Sequence, residues 1–346
     1  MRIFSFRNKR ALRRVLLTAL CLVLLVGLGL LCRFFYLSRY VVYSGDEAYL
    51  DFDRTLSASR TPQSSQNPEE FPFTTLIAAQ SPDEPQTQQR AQIQGYYITT
   101  NMLSDGVDAV RAALDAANDY NAVMIDVKSV FGNYYYRSKL SGAQIATSAN
   151  IDAVETLIRE LTARSDLTVI ARVPAFSEPN YAFAHQEQAL ALSSGALWLD
   201  DRRCYWLDPS DASVQSFLAS IALELQDLGF DEVLFDNFYF PDSDAIRWSS
   251  DLGLTRQGAV QNAAEGIRAA LEGSAIRVDF ASTDPAVAAQ ADRIAVTAED
   301  GASAETVAAA FSDVLSDPAS QLLFLTPSRD TRYEAYSVLR PLLDEA

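Results

Sequence analysis

From Gln94 onward, short apolar runs of strand length alternate with Ala- and Leu-rich stretches of helical length, and this alternation limits the possible folds more than any other feature of the chain. The runs read as strands at 95–100, 122–128, 167–173, 232–236, 276–282, 293–299 and 322–328. Helices are expected at about 105–119, 151–164, 211–228 and 255–271, and a last one at about 331–343. Strands separated by helices predict right-handed βα units and a parallel sheet.

Seven such strands fit either a doubly wound sheet or a closed barrel. The loops decide between them. Long polar and aromatic insertions follow three different strands, at 129–150, 174–210 and 237–254. A barrel collects all such loops on one face, where its active sites lie. No Gly-x-Gly-x-x-Gly follows the first strand, so a dinucleotide fold has no support. The expected fold is α/β, a (β/α)8-type TIM barrel over residues 93–346, with its eighth strand missing, irregular or replaced.

The N-terminus is of another kind. Residues 1–14, MRIFSFRNKRALRR, form a basic head, and residues 15–32 carry no charge. At about 1.5 Å per residue such a helix just crosses a hydrocarbon core of about 30 Å, with Phe34, Phe35 and Tyr36 at its far side. The expectation is a single-pass signal anchor at 15–36, with the basic head cytoplasmic and the remainder outside the cell membrane. A cleaved signal peptide is the rival; no small-x-small site follows the apolar run. Residues 37–92, rich in Ser, Pro, Gln and acid, read as a flexible stalk.

Charge and cysteine content narrow the function. The formal net charge is -17, and residues 1–40 hold eight of the 28 basic residues and no acid. The rest therefore carries 20 basic against 45 acidic residues, a balance of -25 that makes nucleic acid an unsuitable partner. Cys21 and Cys32 fall in the apolar run, leaving Cys204 alone beyond it, so no disulfide within the extracytoplasmic part is expected. His185 is the sole histidine, so no Cys/His metal cluster and no cofactor is expected.

Acids stand at the strand ends. Asp126 closes the second strand, Asp236 the fourth, Asp279 the fifth and Glu299 the sixth. In a barrel these positions converge on the C-terminal rim. Two carboxylates flanking a sugar ring are the minimum for glycoside hydrolysis. Acids also cap helices and turns, and each of these has that alternative. Asp236 is the strongest exception, because VLF precedes it and bulky aromatics follow. Tyr134, Tyr135, Tyr136, Trp198, Trp206, Phe238 and Tyr239 are candidate faces for sugar rings, although such residues serve cores as readily. Lys128 can pair with Asp126, and His185 falls in a loop or at a helix start.

In order along the chain, GYYITT, NAVMIDVKSVFGNYYY, IDAVETLIRELTARSDLTVIARVPAF, AHQEQAL, LWLDDRRCYWLDPSD and LGFDEVLFDNFYFP resemble the putative glycosyl hydrolase domain of bacterial extracytoplasmic proteins (domain of unknown function 4015). The resemblance runs from residue 94 to about 300 and implies a TIM barrel related to amylase-like hydrolases. It implies strand-end acids at Asp126 and Asp236, a barrel-lining acid at Asp279, a His-Pro-Glu element met by His185-Gln186-Glu187, and a Trp-Asn/Asp-Pro element met by Trp206 to Pro209. The family pattern carries an Arg shortly after Asp236; here Tyr239 stands there, and a fixed positive charge that would hold a carboxylate ionised is absent from that place.

Two functions follow as expectations. The first is a membrane-anchored glycoside hydrolase acting on a cell-wall or extracellular polysaccharide, with Asp236 as nucleophile or base, Asp279 or Glu299 as acid, and Asp126, Lys128, Tyr135, His185, Trp198, Trp206 and Tyr239 placing the substrate. The second is a catalytically inactive barrel that binds glycan or an envelope protein.

Overall fold

The computed structural model describes residues 41–44, 47–50, 91–250, 252–298 and 303–343. It divides into two compact units, Met1–Asp83 and Glu84–Ala346. In the first, Val41–Ser44 and Glu47–Leu50 pair as an antiparallel hairpin within the segment expected to be a stalk. The basic head 1–14, the expected span 15–36 and the remainder of the stalk to residue 90 lie outside the described residues. Among the described residues no helix is long and apolar enough to cross a membrane.

The second unit is a closed barrel of eight parallel strands: β1 Gln94–Ile98, β2 Ala122–Asp126, β3 Thr168–Pro174, β4 Glu232–Asp236, β5 Arg277–Ala281, β6 Ile294–Thr297, β7 Leu322–Leu325 and β8 Ser337–Pro341. Each strand pairs with its neighbours in sequence, and β8 closes on β1 with Val338 opposite Gln94 and Pro341 opposite Tyr97. The TIM-barrel expectation is met, with one correction at its end. The helix expected over 331–343 does not form; a single 3-10 turn, Thr331–Tyr333, leads into β8. The eighth strand is thus present and regular. Its burial among β7 and β1 satisfies the backbone on both sides, which a terminal surface helix would have left undone.

Both faces of each strand are covered, which is why the strands read as near-continuous apolar runs. Successive side chains alternate between the faces. Ala122, Met124, Ile170, Leu234, Ala295, Leu323, Leu325 and Leu339 fill the barrel interior with Ile93. Val123, Ile125, Val169, Ala171, Val173, Val233, Phe235, Val278 and Phe280 pack outward into the larger core under the helices. β1 lies so close to β2 that a Cβ on Gly95 would sit 1.8 Å from the Ala122 carbonyl oxygen, so only glycine fits.

The outer helices include α1 Val107–Ala116, α2 Ile151–Thr162, α3 Ala212–Asp227 and α4 Arg256–Ala270. The helix expected over 105–119 forms as α1, and an unexpected short helix, Thr100–Asp105, precedes it and stops at Gly106, whose φ of 144° is outside any helix. Side-chain caps start the others. Asn150 accepts from the Ala153 N–H, Asp211 from the Ser213 and Val214 N–H groups, and Thr255 from the Gly258 N–H.

A polar cluster forms the floor of the barrel. Glu232 is fully buried between Arg293 (3.0 Å) and Arg277 (2.7 Å). Arg293 also donates to the Ser320 and Ala91 carbonyls, tying β6 to the segments before β7 and β1. Asp279 accepts from the Arg293 N–H at 2.8 Å.

Candidate active site

The site begins with side-chain parity. Asp126, Arg172 and Asp236 share the inward parity of Met124, Ile170 and Leu234 on their strands. Register sets their heights: Asp126 is opposite Arg172, and Asp236 is opposite Pro174, one inward position above. The three therefore meet at the C-terminal mouth of the barrel on adjacent strands.

Arg172 links the two acids. Its Nε and one terminal nitrogen donate to Asp236 Oδ2 at 3.0 and 2.5 Å, and its other terminal nitrogen is 3.5 Å from Asp126 Oδ1. Burial works against the guanidinium charge, but the two carboxylates outweigh it and hold the Arg172 pKa above its ordinary value. Asp236 Oδ1 accepts the N–H of Asn237, at 2.7 Å. Asn237 holds φ at 50°, a left-handed conformation that Asn tolerates, directly after the strand.

These groups face a cleft of about 620 Å³. Thr100, Asn101, Ser104, Ser129, Asn133, Tyr135 and Ser148 supply hydroxyls and amides to its walls, and Phe131, 54% exposed, adds an apolar ring. Tyr135 lies within hydrogen-bonding distance of Ser104 (3.3 Å) and Ser148 (3.2 Å), which fixes that wall. Such a mixture of polar groups and ring faces is suited to a sugar.

The structure brings Asp126, Asp236 and Tyr135 together in this cleft. Lys128 lines it too, but the chain buries it almost completely in an ion pair with the equally buried Glu178 rather than with Asp126. Tyr239 stands half exposed above Trp206, ring centroids 5.0 Å apart. Trp206 itself is buried, its Nε1 donating to Asp200 Oδ2 at 3.0 Å, with Trp198 edge-on at 6.3 Å. Tyr134, Tyr136 and Phe238 belong to the core. His185 is elsewhere, at the C-terminal end of helix Pro179–Ala184, its ring 4.3 Å from Tyr181, which stacks on Phe217 at 4.0 Å.

Asp279 is not at the mouth. It is level with Leu234, one inward position below Asp236, and is fully buried against the floor cluster. Burial first, and the adjacent Glu232 carboxylate second, push it well above the usual carboxylate range. It has no access to the cleft. Its strand runs on through Phe280 and Ala281, so the sequence position of the strand end lies two residues later than the acid. Glu299 follows the end of β6 by two residues and lies outside the described residues.

Arg172 is the residue that reading the sequence missed. Its signal was available: a cation with the inward parity of Ile170, inside an otherwise apolar strand. It also supplies the positive charge expected after Asp236 and absent at Tyr239. The cation reaches Asp236 from the neighbouring strand instead.

The model of a family described as a putative glycosyl hydrolase domain matches residues 95–299. A hypothetical protein from Ruminiclostridium thermocellum is 25% identical, covering 53% of this chain and 96% of that one, with a TM-score of 0.42. An α-galactosidase from Lactobacillus brevis is 9% identical, with a TM-score of 0.51, covering 72% of this chain and 37% of that one. An α-galactosidase from Thermus thermophilus is 17% identical, with a TM-score of 0.44, covering 60% and 41%. The chain thus spans well under half of either galactosidase, and the likeness to the Lactobacillus protein is one of fold. Comparison with curated protein sequences finds no match.

Proposed function

Because the chain belongs to the putative glycosyl hydrolase domain family, we propose that its glycoside-hydrolase-like barrel cleaves a glycosidic bond at the Asp126–Arg172–Asp236 cleft. The observation that carries this reading is the ion-paired Asp236 at the mouth of the barrel, beside an open cleft walled by hydroxyls, amides and the exposed ring of Phe131. A carboxylate paired to a guanidinium is a nucleophile or a base, not a proton donor. Asp236 takes that role, and Asp126 and Arg172 hold it in place. Glu299, just beyond β6, is the proposed acid that protonates the leaving oxygen. Asp279, sealed in the floor, has no part in this scheme.

The substrate we propose is a cell-wall or extracellular polysaccharide, reached by a domain that residues 15–36 anchor to the cell membrane. Protease added to intact cells should remove the domain; full-length protein that outlasts other surface proteins would refute the anchoring.

A second reading has its own support. Both oxygens of Asp236 are engaged, by Arg172 and by the Asn237 N–H, so the cleft could hold a glycan without cleaving it. Asp236→Asn separates the two. Turnover on a panel of wall and extracellular polysaccharides should fall by about 10²–10⁴, the contribution of one acid or base group, while the melting temperature changes little. Glycan retained by the wild-type protein with no product from any substrate would replace the hydrolase reading with the binding one.

A further inference from the structure

Three cations line the cleft among the described residues: Lys128, Arg172 and Arg202. Two of them are neutralised within the protein, Lys128 by Glu178 and Arg172 by Asp126 and Asp236. Arg202 differs. It is exposed, and among the described residues its guanidinium makes no ion pair and no hydrogen bond.

The turn that carries it is firmly built. Asp200 Oδ1 accepts the backbone N–H groups of Arg202 (2.9 Å) and Cys204 (2.8 Å), and its Oδ2 accepts from Trp206. Leu199 and Tyr205 pair across the stem, and the Asp200 N–H donates to the Cys204 carbonyl. Arg203 closes the turn at a φ of 64°, a left-handed conformation that residues with a side chain rarely adopt. The same Trp206 that braces Asp200 supports the exposed ring of Tyr239. A cation with no protein partner among the described residues, on a braced and strained turn, therefore stands at the cleft, and the Trp206 that braces this turn also carries Tyr239.

A guanidinium presents a planar fork of N–H donors that matches an oxyanion. The chain as a whole carries a net charge of -17, but charges beyond about 8 Å are screened at physiological ionic strength. Local groups therefore decide what the cleft attracts. Among the charged residues lining the cleft, the Lys128–Glu178 pair aside, Asp126, Asp236 and Arg172 sum to minus one and Arg202 supplies the one unpaired positive group, with the Asp200 carboxylate turned to the backbone N–H groups and to Trp206.

We propose that the cleft takes a glycan whose sugars carry an oxyanion, and that Arg202 is the residue that selects it. The shared chemistry is a carboxylate, sulfate or phosphate group on a sugar whose ring lies against Tyr239. This rests on the proposed function for the location of the site, but its test reads charge selectivity and not turnover.

Full-length protein, wild type and carrying Arg202→Gln or Arg202→Lys, would be titrated calorimetrically with uncleavable, thio-linked oligosaccharides of one length, so that Asp236 stays in place to neutralise Arg172. The set contains a uronate-bearing oligosaccharide, its carboxyl-reduced neutral counterpart, and sulfated and phosphorylated counterparts, so that the arms identify which oxyanion is taken. At least one charged member should bind about tenfold more tightly than the neutral one, the order of one good charge-assisted contact. Arg202→Gln should erase that preference and leave neutral binding unchanged, while Arg202→Lys should keep part of it. Neutral binding as tight as that of every charged member, or an unchanged ratio in Arg202→Gln, would overturn the proposal. Cleavage of neutral glycans alone by the wild-type protein would also overturn it while leaving the hydrolase reading intact. Charge-selective binding without products would do the reverse.

Discussion

Replacing Arg172 with methionine tests whether the mouth of the barrel is held together by charge. Met keeps much of the side chain's length and packing but removes the cation. Arg172 and Asp236 are each about a quarter exposed, and Asp126 is 16% exposed, so the cluster is neither fully dry nor fully solvated. Breaking a fully buried pair by deleting one partner costs about 3–5 kcal/mol, and an exposed pair is worth about 0–1 kcal/mol. The observed burial places Arg172→Met between these limits, at about 2–3 kcal/mol, because two N–H bonds to Asp236 are lost and two carboxylates then face each other without a cation. For a domain of this size that is about 4–12 °C in melting temperature. The assay is a double-mutant cycle by urea denaturation. In an Asp126→Asn/Asp236→Asn background, Arg172→Met should cost less than about 1 kcal/mol, since no bare carboxylates remain. Equal cost in both backgrounds would mean that Arg172 contributes packing alone and would refute the electrostatic account of the site.

Two further outcomes follow from the buried charges. Lys128→Met alone, which strands Glu178, should destabilise by about 3–5 kcal/mol, and adding Glu178→Leu should recover much of that loss; chemical denaturation of the single and double variants checks it. The raised Asp279 pKa favours the protonated fold, so its stabilising contribution is full below the ordinary value of 3.8 and declines as pH rises toward the raised one. Asp279→Asn, which cannot ionise, should therefore gain melting temperature over wild type at pH 8 compared with pH 5, and a difference independent of pH would show that the fold does not raise the Asp279 pKa.

The sequence by itself determined the order of strands and helices, because alternating apolar runs and amphipathic stretches are local patterns. It also determined which loops are long. Those two facts gave the parallel barrel and located the mouth at the ends of β2, β3 and β4, where Asp126 and Asp236 stand. One local pattern misled: the apolar spacing in TRYEAYSVLRPLL suits a helix, and only pairing with β7 and β1 makes Ser337–Pro341 a strand. The tertiary structure alone decided depth and partnership. Asp279 and Asp236 both follow apolar strand residues, but register drops Asp279 one inward position, into a floor where burial raises its pKa. Arg172 is 64 residues from Asp236 and 46 from Asp126, yet closure of the barrel sets the three on adjacent strands. Side-chain chemistry is written residue by residue, but an ion pair exists only where the pairing register brings two distant residues to the same height on the same face. For that reason, the acids of this site could be named from the sequence, and Arg172 is visible there as a cation in an apolar strand, but only the fold joined it to Asp126 and Asp236.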